Sequence, residues 1–191
     1  RDGRFHGIQV KVKRPGLQVR ARRGYHAPVE GFARTPEPDA LDPEVQRTLD
    51  SPFDNQAIPL RLAAYVLGPA DEGKTKVMLV AEADPRALAF TPKDGHDTDT
   101  LESTFLISST AGESFHYQSR LDLSYPPEAR AQLEKTWLPV QRPFELPPGV
   151  YQAHFALKDI GQGRMGSVTH AFEVEGSQRL RVTTPVLTDA L

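Results

Sequence analysis

The sequence predicts an all-β protein: an immunoglobulin-like antiparallel β-sandwich with a preceding β-hairpin and one or two short helices. About seven short segments of strand-forming residues are separated by frequent turn signals, which is typical of sandwiches. The 191 residues include 17 prolines, too many for a helical bundle. The hydrophobic fraction of 38% is modest, which also favours strands and turns over packed helices.

The first element, within residues 1–28, is a predicted β-hairpin. Two segments alternate apolar and polar residues with period two, as one-face-buried strands do. Pro15-Gly16 suits the middle of a tight turn and sets Val12 opposite Val19 and Val10 opposite Ala21. An isolated hairpin is marginally stable. Since the chain opens at Arg1 without an initiator Met, we expect it to be the C-terminal part of a longer protein.

Charge is distributed unevenly along the chain. Residues 1–30 hold eight Lys or Arg and two acids, a net charge of +6. Since the whole chain has a net charge of −2, the remaining residues carry −8. We interpret the basic segment as a solvated face against an acidic neighbour, with a nucleic-acid arm as the alternative. The expected partner-contact residues are Lys11, Lys13, Arg20 and Arg22. The expected partner is a protein, with no nucleic acid and no membrane span.

Residues 29–55 are predicted to be a linker that contains a short helix. The stretch up to Asp39 is rich in Pro, Glu and Gly. Asp42 is a suitable N-cap, and Pro43 suits the first helical position that follows it. Ser51-Pro52 ends the helix after about two turns.

Residues 56–191 are predicted to form the sandwich. The predicted strands are 58–67, 74–83, 101–109, 114–123, 137–146, 150–159 and 166–174. Residues 92–99 are interpreted as a polar loop and 126–135 as a short helix. Pro139 and Pro143 indicate that the strand at 137–146 lies at a sheet edge or is bulged. Alternation predicts a core of Leu60, Leu62, Val77, Leu79, Phe105, Ile107, Leu121, Tyr151, Phe155, Phe172 and Val174.

Several segments together resemble a known bacterial family. The basic hairpin from Arg4 to Tyr25 is similar to the end of the type A domain in von Willebrand factor type A (VWFA)-related proteins. Residues 44–67, Leu146-Pro-Pro-Gly-Val-Tyr151 and Gly163-Arg-Met-Gly166 are similar to the sandwich that follows it. The resemblance implies an extracytoplasmic protein, periplasmic or secreted, whose upstream type A domain is the partner. That domain's metal motif, Asp-x-Ser-x-Ser, is absent here, so no metal residue is carried over.

Two sets of residues are candidate metal ligands. Asp94, Asp97 and Asp99 could supply oxygen ligands to Ca²⁺, but the order of a calcium-binding loop is missing. His154 and His170 lie on neighbouring predicted strands, where an interior or cross-strand role is the stronger interpretation. Cysteine is absent, which excludes disulfides and thiolate metal sites. The sequence therefore predicts no metal and no cofactor.

No catalytic motif stands out, and the chain is predicted not to be an enzyme. A nucleophile elbow, a phosphate-binding glycine loop and a zinc-protease motif are all lacking from the sequence. The leading hypothesis is a protein-interaction or scaffold module that presents loops and an edge strand. The alternative is a carbohydrate-binding module. Its stacking platform would be drawn from Tyr65, Tyr117, Tyr125, Trp137 and Tyr151.

We predict that divalent cations leave the chain unchanged, because ligand order at Asp94–Asp99 is poor. Calorimetric titration with Ca²⁺, Mg²⁺ and Zn²⁺ should show only the heat of dilution. Micromolar binding would contradict this expectation, and its loss in Asp97→Asn would then locate the ions at the acidic segment.

Overall fold

The computed structural model describes residues 5–7, 24–26 and 42–176. The chain divides into two units, Arg1–Leu41 and Asp42–Leu191. Ten strands and two α-helices lie in the described residues. Their antiparallel arrangement in two main sheets confirms the all-β sandwich that the sequence predicts.

In the first unit, strands β1 (Phe5–Gly7) and β2 (Gly24–His26) pair antiparallel. Phe5 lies opposite His26, and Gly7 lies opposite Gly24. The predicted turn, with Val12 opposite Val19, gives the same register for these two strands. The turn itself lies outside the described residues, and so do Lys11, Lys13, Arg20 and Arg22.

Helix α1 (Pro43–Asp50) begins the second unit. The Asp42 carboxylate accepts a hydrogen bond from the Glu44 amide at 2.8 Å, which caps the helix as predicted. Val45 and Leu49 are buried, and the helix packs against strand β9 (Gly149–Asp159). The helix is therefore part of the sandwich unit, because its apolar stripe needs cover that an isolated linker helix would lack.

The smaller sheet has the order β3-β4-β8. Its strands are β3 (Leu60–Pro69), β4 (Thr75–Ala83) and β8 (Leu138–Leu146). Buried and more exposed residues alternate along β4, as expected for a central strand with one face on the core. β8 is an edge strand, which confirms the prediction made from Pro139 and Pro143.

The larger sheet has five strands. They are β5 (Thr91–Lys93), β6 (His96–Ser109), β7 (Ser114–Tyr125), β9 and β10 (Met165–Val174). The order is β10-β9-β6-β5. β9 and β5 pair with successive parts of one edge of β6, and β7 pairs along the opposite edge. Helix α2 (Pro127–Leu133) follows β7 directly. β6 and β9 are thus the strands of this sheet that carry partners along both sides.

The core between the sheets contains most of the predicted residues. The buried ones are Leu60, Val77, Leu79, Phe105, Ile107, Tyr151, Phe155 and Val174. Leu62, Leu121 and Phe172 pack against the core but are only partly buried. They lie on β3, β7 and β10, each with a paired strand on one side only, so fewer neighbours cover them. Alternation missed Ile58 and Leu101, which are fully buried.

One corner of the sandwich depends on a glycine. A Cβ at Gly166 would lie 2.3 Å from the Ile58 carbonyl oxygen, which no neighbouring backbone could accommodate. The close approach is fixed by the Ser167 amide, which donates to the Asn55 carbonyl at 2.9 Å. The segment entering β3 is therefore tied to β10, and Ile58 is held in the core.

The prediction of a loop at residues 92–99 is wrong for most of these residues. β5 and the start of β6 form a tight hairpin, in which Lys93 pairs with His96. Asp94 and Gly95 have φ of 50° and 78°, as a two-residue hairpin turn requires. The residues are polar because β5 is exposed along its length, so composition alone concealed the strand.

We predict that Phe155→Ala lowers the free energy of unfolding by about 3–5 kcal/mol. Phe155 is fully buried, and its ring centroid lies 4.6 Å from that of Phe105. Phe172→Ala should cost roughly half as much, because the side chain is already partly exposed. Urea denaturation would measure both, with the exposed Leu67→Ala as the control. Equal losses for the two phenylalanines would contradict this ranking.

Candidate interaction surface

Hydrogen bonding along β6 alternates between its two neighbours. The Ser109 amide donates to the Glu113 carbonyl at the β7 side, while the Thr110 amide donates to the Val150 carbonyl at the β9 side. At the other end of the strand, the Ile160 amide, next to the end of β9, donates to the Thr100 carbonyl. Both bonds on the β9 side therefore involve an even-numbered residue at or next to β6. Odd residues of β6 therefore bond to β7, and even residues bond to β9.

The same alternation decides which backbone groups of β7 face away from the sheet. β6 and β7 pair without a register shift from Asp97–Tyr125 to Ser108–Ser114. Hydrogen-bonded pairs recur at every second residue, so odd residues of β7 bond to β6. The even residues direct their amides and carbonyls outward. We call this set the β7 edge: Ser114, His116, Gln118, Arg120, Asp122 and Ser124.

Among the described strands, β7 pairs with β6 alone. The edge residues are all exposed, so their outward backbone groups are open to an incoming strand. The strand has twelve residues, longer than most strands, and lacks Pro, Lys and bulges. These are among the devices that protect a sheet edge from pairing with another chain, and the charged side chains of this edge, Arg120 and Asp122, are paired with each other.

The other long edges of the described sandwich are less open. β8 carries Pro139 and Pro143, which have no amide hydrogen to donate. β3 and β10 lie beside each other, tied by the bridge between Gln56 and Gly166. The sequence contained a signal for this difference: prolines interrupt residues 137–146 but not residues 114–125.

The side chains around the β7 edge are electrically balanced. Arg120 Nε lies 3.1 Å from Asp122 Oδ1, so the two formal charges on the strand compensate each other. The odd residues face inward, and Phe115, Tyr117, Leu121 and Leu123 pack against the core while staying partly buried. Arg142 covers the Tyr117 ring, with Cζ 3.6 Å from the ring centroid. Because Arg120 and Asp122 are paired, the strand's own formal charges present little electrostatic barrier to a second strand, and Arg142 adds a positive charge over the inward face.

The three aspartates considered for calcium are not gathered into one site. Asp94 is at the hairpin turn, while Asp99 is buried within the sandwich. In residues 42–176 and the two short β1 and β2 segments, no three His, Asp or Glu side chains are grouped closely enough to hold a metal ion.

Asp99 instead belongs to a buried acidic pair with Asp159. Asp159 is fully buried, and its two oxygens accept hydrogen bonds from the amides of Ala89 and Gln162. Asp99 Oδ1 accepts from the Thr100 amide at 2.7 Å, whereas Oδ2 is buried without a partner among the described residues. Burial, then the charge of Asp159, raise the pKa of Asp99 above its ordinary value.

The two strand histidines face opposite sides of the larger sheet. His154 lies opposite Thr169, and His170 lies opposite Ala153, one register position away. His170 is partly buried near the core, and burial lowers its pKa. The histidines therefore do not converge on a common ligand.

The aromatic residues considered for sugar stacking engage other side chains of the described chain. The Arg61 Cζ lies 3.8 Å from the Trp137 ring centroid. Tyr151 is buried, with its hydroxyl donating to the Pro147 carbonyl at 2.7 Å. Tyr125 packs edge-on against Phe90. A row of coplanar exposed rings, as carbohydrate stacking requires, is not formed by these three.

A shallow depression of about 260 Å³ lies at the end of α1. Its lining is mostly polar and includes Glu44, Arg47 and Asn55. The exposed Phe53 is the apolar part of its rim, at 80% exposure. The volume is below that of ordinary ligand pockets, and we base no functional proposal on it.

Comparison with known proteins adds little about function. No protein-family model and no curated protein matches the sequence. A β-glucuronidase from Bacteroides uniformis is 12% identical with a TM-score of 0.37, over 58% of this chain and 13% of that one. This chain therefore spans a small part of the length of that enzyme.

Two further solved structures are similar at the same level. A Northeast Structural Genomics Consortium target is 12% identical with a TM-score of 0.37, covering 70% of this chain and 98% of that one. A protein from Bordetella pertussis described as a putative ApaA protein is 10% identical with a TM-score of 0.35, over 64% of this chain and 97% of that one. We draw no functional argument from similarity this low. Separately, neither described helix combines the length and apolar character needed to cross a bilayer.

We predict that Asp99→Asn raises the melting temperature at neutral pH by a few degrees. The folded-state pKa of Asp99 lies above its unfolded value, so ionising the buried carboxyl destabilises the fold as pH rises. The Arg130 charge opposes this effect only in part. The gain should shrink as pH falls toward about 4, where unfolded aspartate also holds its proton.

Thermal melts from acidic to neutral pH would measure this difference. Asp122→Asn is the matched control, because hydrogen bonds from Thr100 and Arg120 lower the pKa of this exposed carboxyl. Its replacement should leave the melting temperature unchanged or slightly reduced at neutral pH. A lower melting temperature for Asp99→Asn at neutral pH would show that the ionised carboxylate stabilises the fold.

Proposed function

We propose that this chain is a non-enzymatic protein-interaction module that binds an extended segment by strand addition at the β7 edge. The observation that carries the proposal is the outward direction of the backbone groups at the six edge residues. An added strand would satisfy them with main-chain hydrogen bonds, as in other proteins that recognise peptides by strand addition.

The asymmetry between the two edge strands supports this assignment. A partner approaching β8 would meet Pro139 and Pro143, where no amide is available to donate. A partner approaching β7 meets an unbroken ladder from Ser114 to Tyr125. Strand addition is therefore directed to one side of the sandwich.

The resemblance to VWFA-related proteins gives this module a proposed setting. In that setting the chain lies outside the cytoplasm and the upstream type A domain of the same protein is one of its contacts. The basic residues Lys11, Lys13, Arg20 and Arg22 remain the proposed contact residues for that domain. The β7 edge is a separate surface, formed entirely by the second unit.

Selection from a displayed library of random extended peptides would test the proposal. We expect peptides that bind the intact protein but not Gln118→Pro, in which one outward amide of the β7 edge is removed. Hydrogen exchange measured by NMR should show slowed exchange at the even-numbered amides of β7 on binding. The odd-numbered amides, already bonded to β6, should change little.

The variant Gln141→Pro on β8 is the matched control, since it also adds one proline to an exposed position of an edge strand. Peptides should bind it as they bind the unaltered protein. Selected peptides that bind Gln118→Pro equally well, or that protect residues around Trp137 instead, would overturn the proposal.

A further inference from the structure

We infer that the strand added at the β7 edge is β7 of a second copy of this chain, antiparallel, with Ser119 opposite Ser119 on a two-fold axis. This inference rests on the proposed function and names its partner. The exposed groups of β7 match one another when the strand lies antiparallel to β7 of a second copy.

Backbone hydrogen bonding limits the possible registers. Only even residues of β7 direct their amides outward, so even residues must lie opposite even residues. With Ser119 on the axis, Ser114 lies opposite Ser124, His116 opposite Asp122, and Gln118 opposite Arg120 of the second copy. All six residues of the β7 edge are then paired, and each pair occurs twice by symmetry.

Neighbouring registers pair the edge less well. Moving the two-fold axis by one residue, from Ser119 to Arg120, sets Arg120 opposite Arg120 of the second copy. This direct like-charge pair destabilises the ladder. A second step sets His116 opposite Pro126, which lies beyond the strand and has no amide hydrogen. A step in the other direction sets Arg120 opposite His116 and moves Ser124 opposite Gly112 in the hairpin turn. The register on Ser119 avoids each of these losses.

The inward-facing residues match in the same register. Phe115 lies opposite Leu123 of the second copy, and Tyr117 lies opposite Leu121. These four side chains pack against the core but remain partly buried in a single copy. Pairing would set apolar next to apolar across the new ladder, which is the arrangement that stabilises neighbouring strands.

The charges also favour a second copy. Arg120 already contacts Asp122 within one chain, so the solvent side of β7 carries no net formal charge from this pair. In the dimer, His116 of the second copy would stand opposite Asp122 on that side. The edge is therefore complementary to itself, without needing a partner of opposite charge.

Cysteine scanning would test the register directly, because the chain has no cysteine of its own. Ser119→Cys should form a disulfide between copies on mild oxidation. Position 119 is a non-hydrogen-bonded pair in this register, with a Cα spacing of about 4.5 Å, which suits a disulfide. Gln118→Cys, Arg120→Cys and Leu121→Cys serve as matched controls and should cross-link much more slowly.

Sedimentation over a concentration series should show a monomer–dimer equilibrium for the intact chain. Gln118→Pro should lose dimerisation and keep the melting temperature that the unaltered chain shows at concentrations where it is monomeric, because association itself stabilises the folded state. Gln141→Pro should dimerise normally. Faster cross-linking at 118, 120 or 121 than at 119 would overturn the register. A chain that stays monomeric at every concentration would overturn the dimer itself.

The outcomes separate this inference from the proposed function. A monomer that still binds selected peptides at the β7 edge would refute the dimer and leave the interaction module intact. A chain that dimerises only after removal of residues 177–191 would identify that segment as the occupant of β7 and also refute the inference. Loss of peptide binding and dimerisation by Gln118→Pro, with neither affected by Gln141→Pro, would support both.

Discussion

The alternating hydrogen bonds of β6 are the constraint on which the larger sheet depends. Because odd residues bond to β7 and even residues bond to β9, one strand holds both halves of the sheet in register. The direction of each backbone group in β7 follows from this alternation. The outward ladder at the β7 edge is thus a consequence of how the centre of the sheet is built.

Within residues 42–176, the sandwich is closed on one side, and its edge strands β7 and β8 carry no further strand on the other. At the closed side, the absence of a side chain at Gly166 lets the backbone at Ile58 reach β10. On the other side, β8 is limited as a pairing partner by its prolines, and β7 is not. A long and regular edge is a template for pairing with another strand, which is why we propose it as a binding surface.

Local rules account for much of what the sequence predicted correctly. Asp42 followed by Pro43 predicts a helix start, and the structure confirms the cap. Pro139 and Pro143 predict an edge strand, because proline cannot donate to a central ladder. Alternation predicts the inward positions of β4 and β9, although the segment at 92–99 was missed since its polar residues resemble a loop. These signals act between residues close in the chain, so they can be recognised without knowing which strands pair.

The sequence by itself determined the fold class, the helix cap, the Pro-marked edge and most of the core. Only the tertiary structure decided that Asp99 meets Asp159, that His154 and His170 face apart, and that β7 pairs with β6 alone among the described strands. These facts depend on pairing between segments distant in sequence. A shift of one residue in the register of a strand would turn all its side chains to the opposite face of the sheet. No local pattern records that choice, because register is selected by the packing of all strands together.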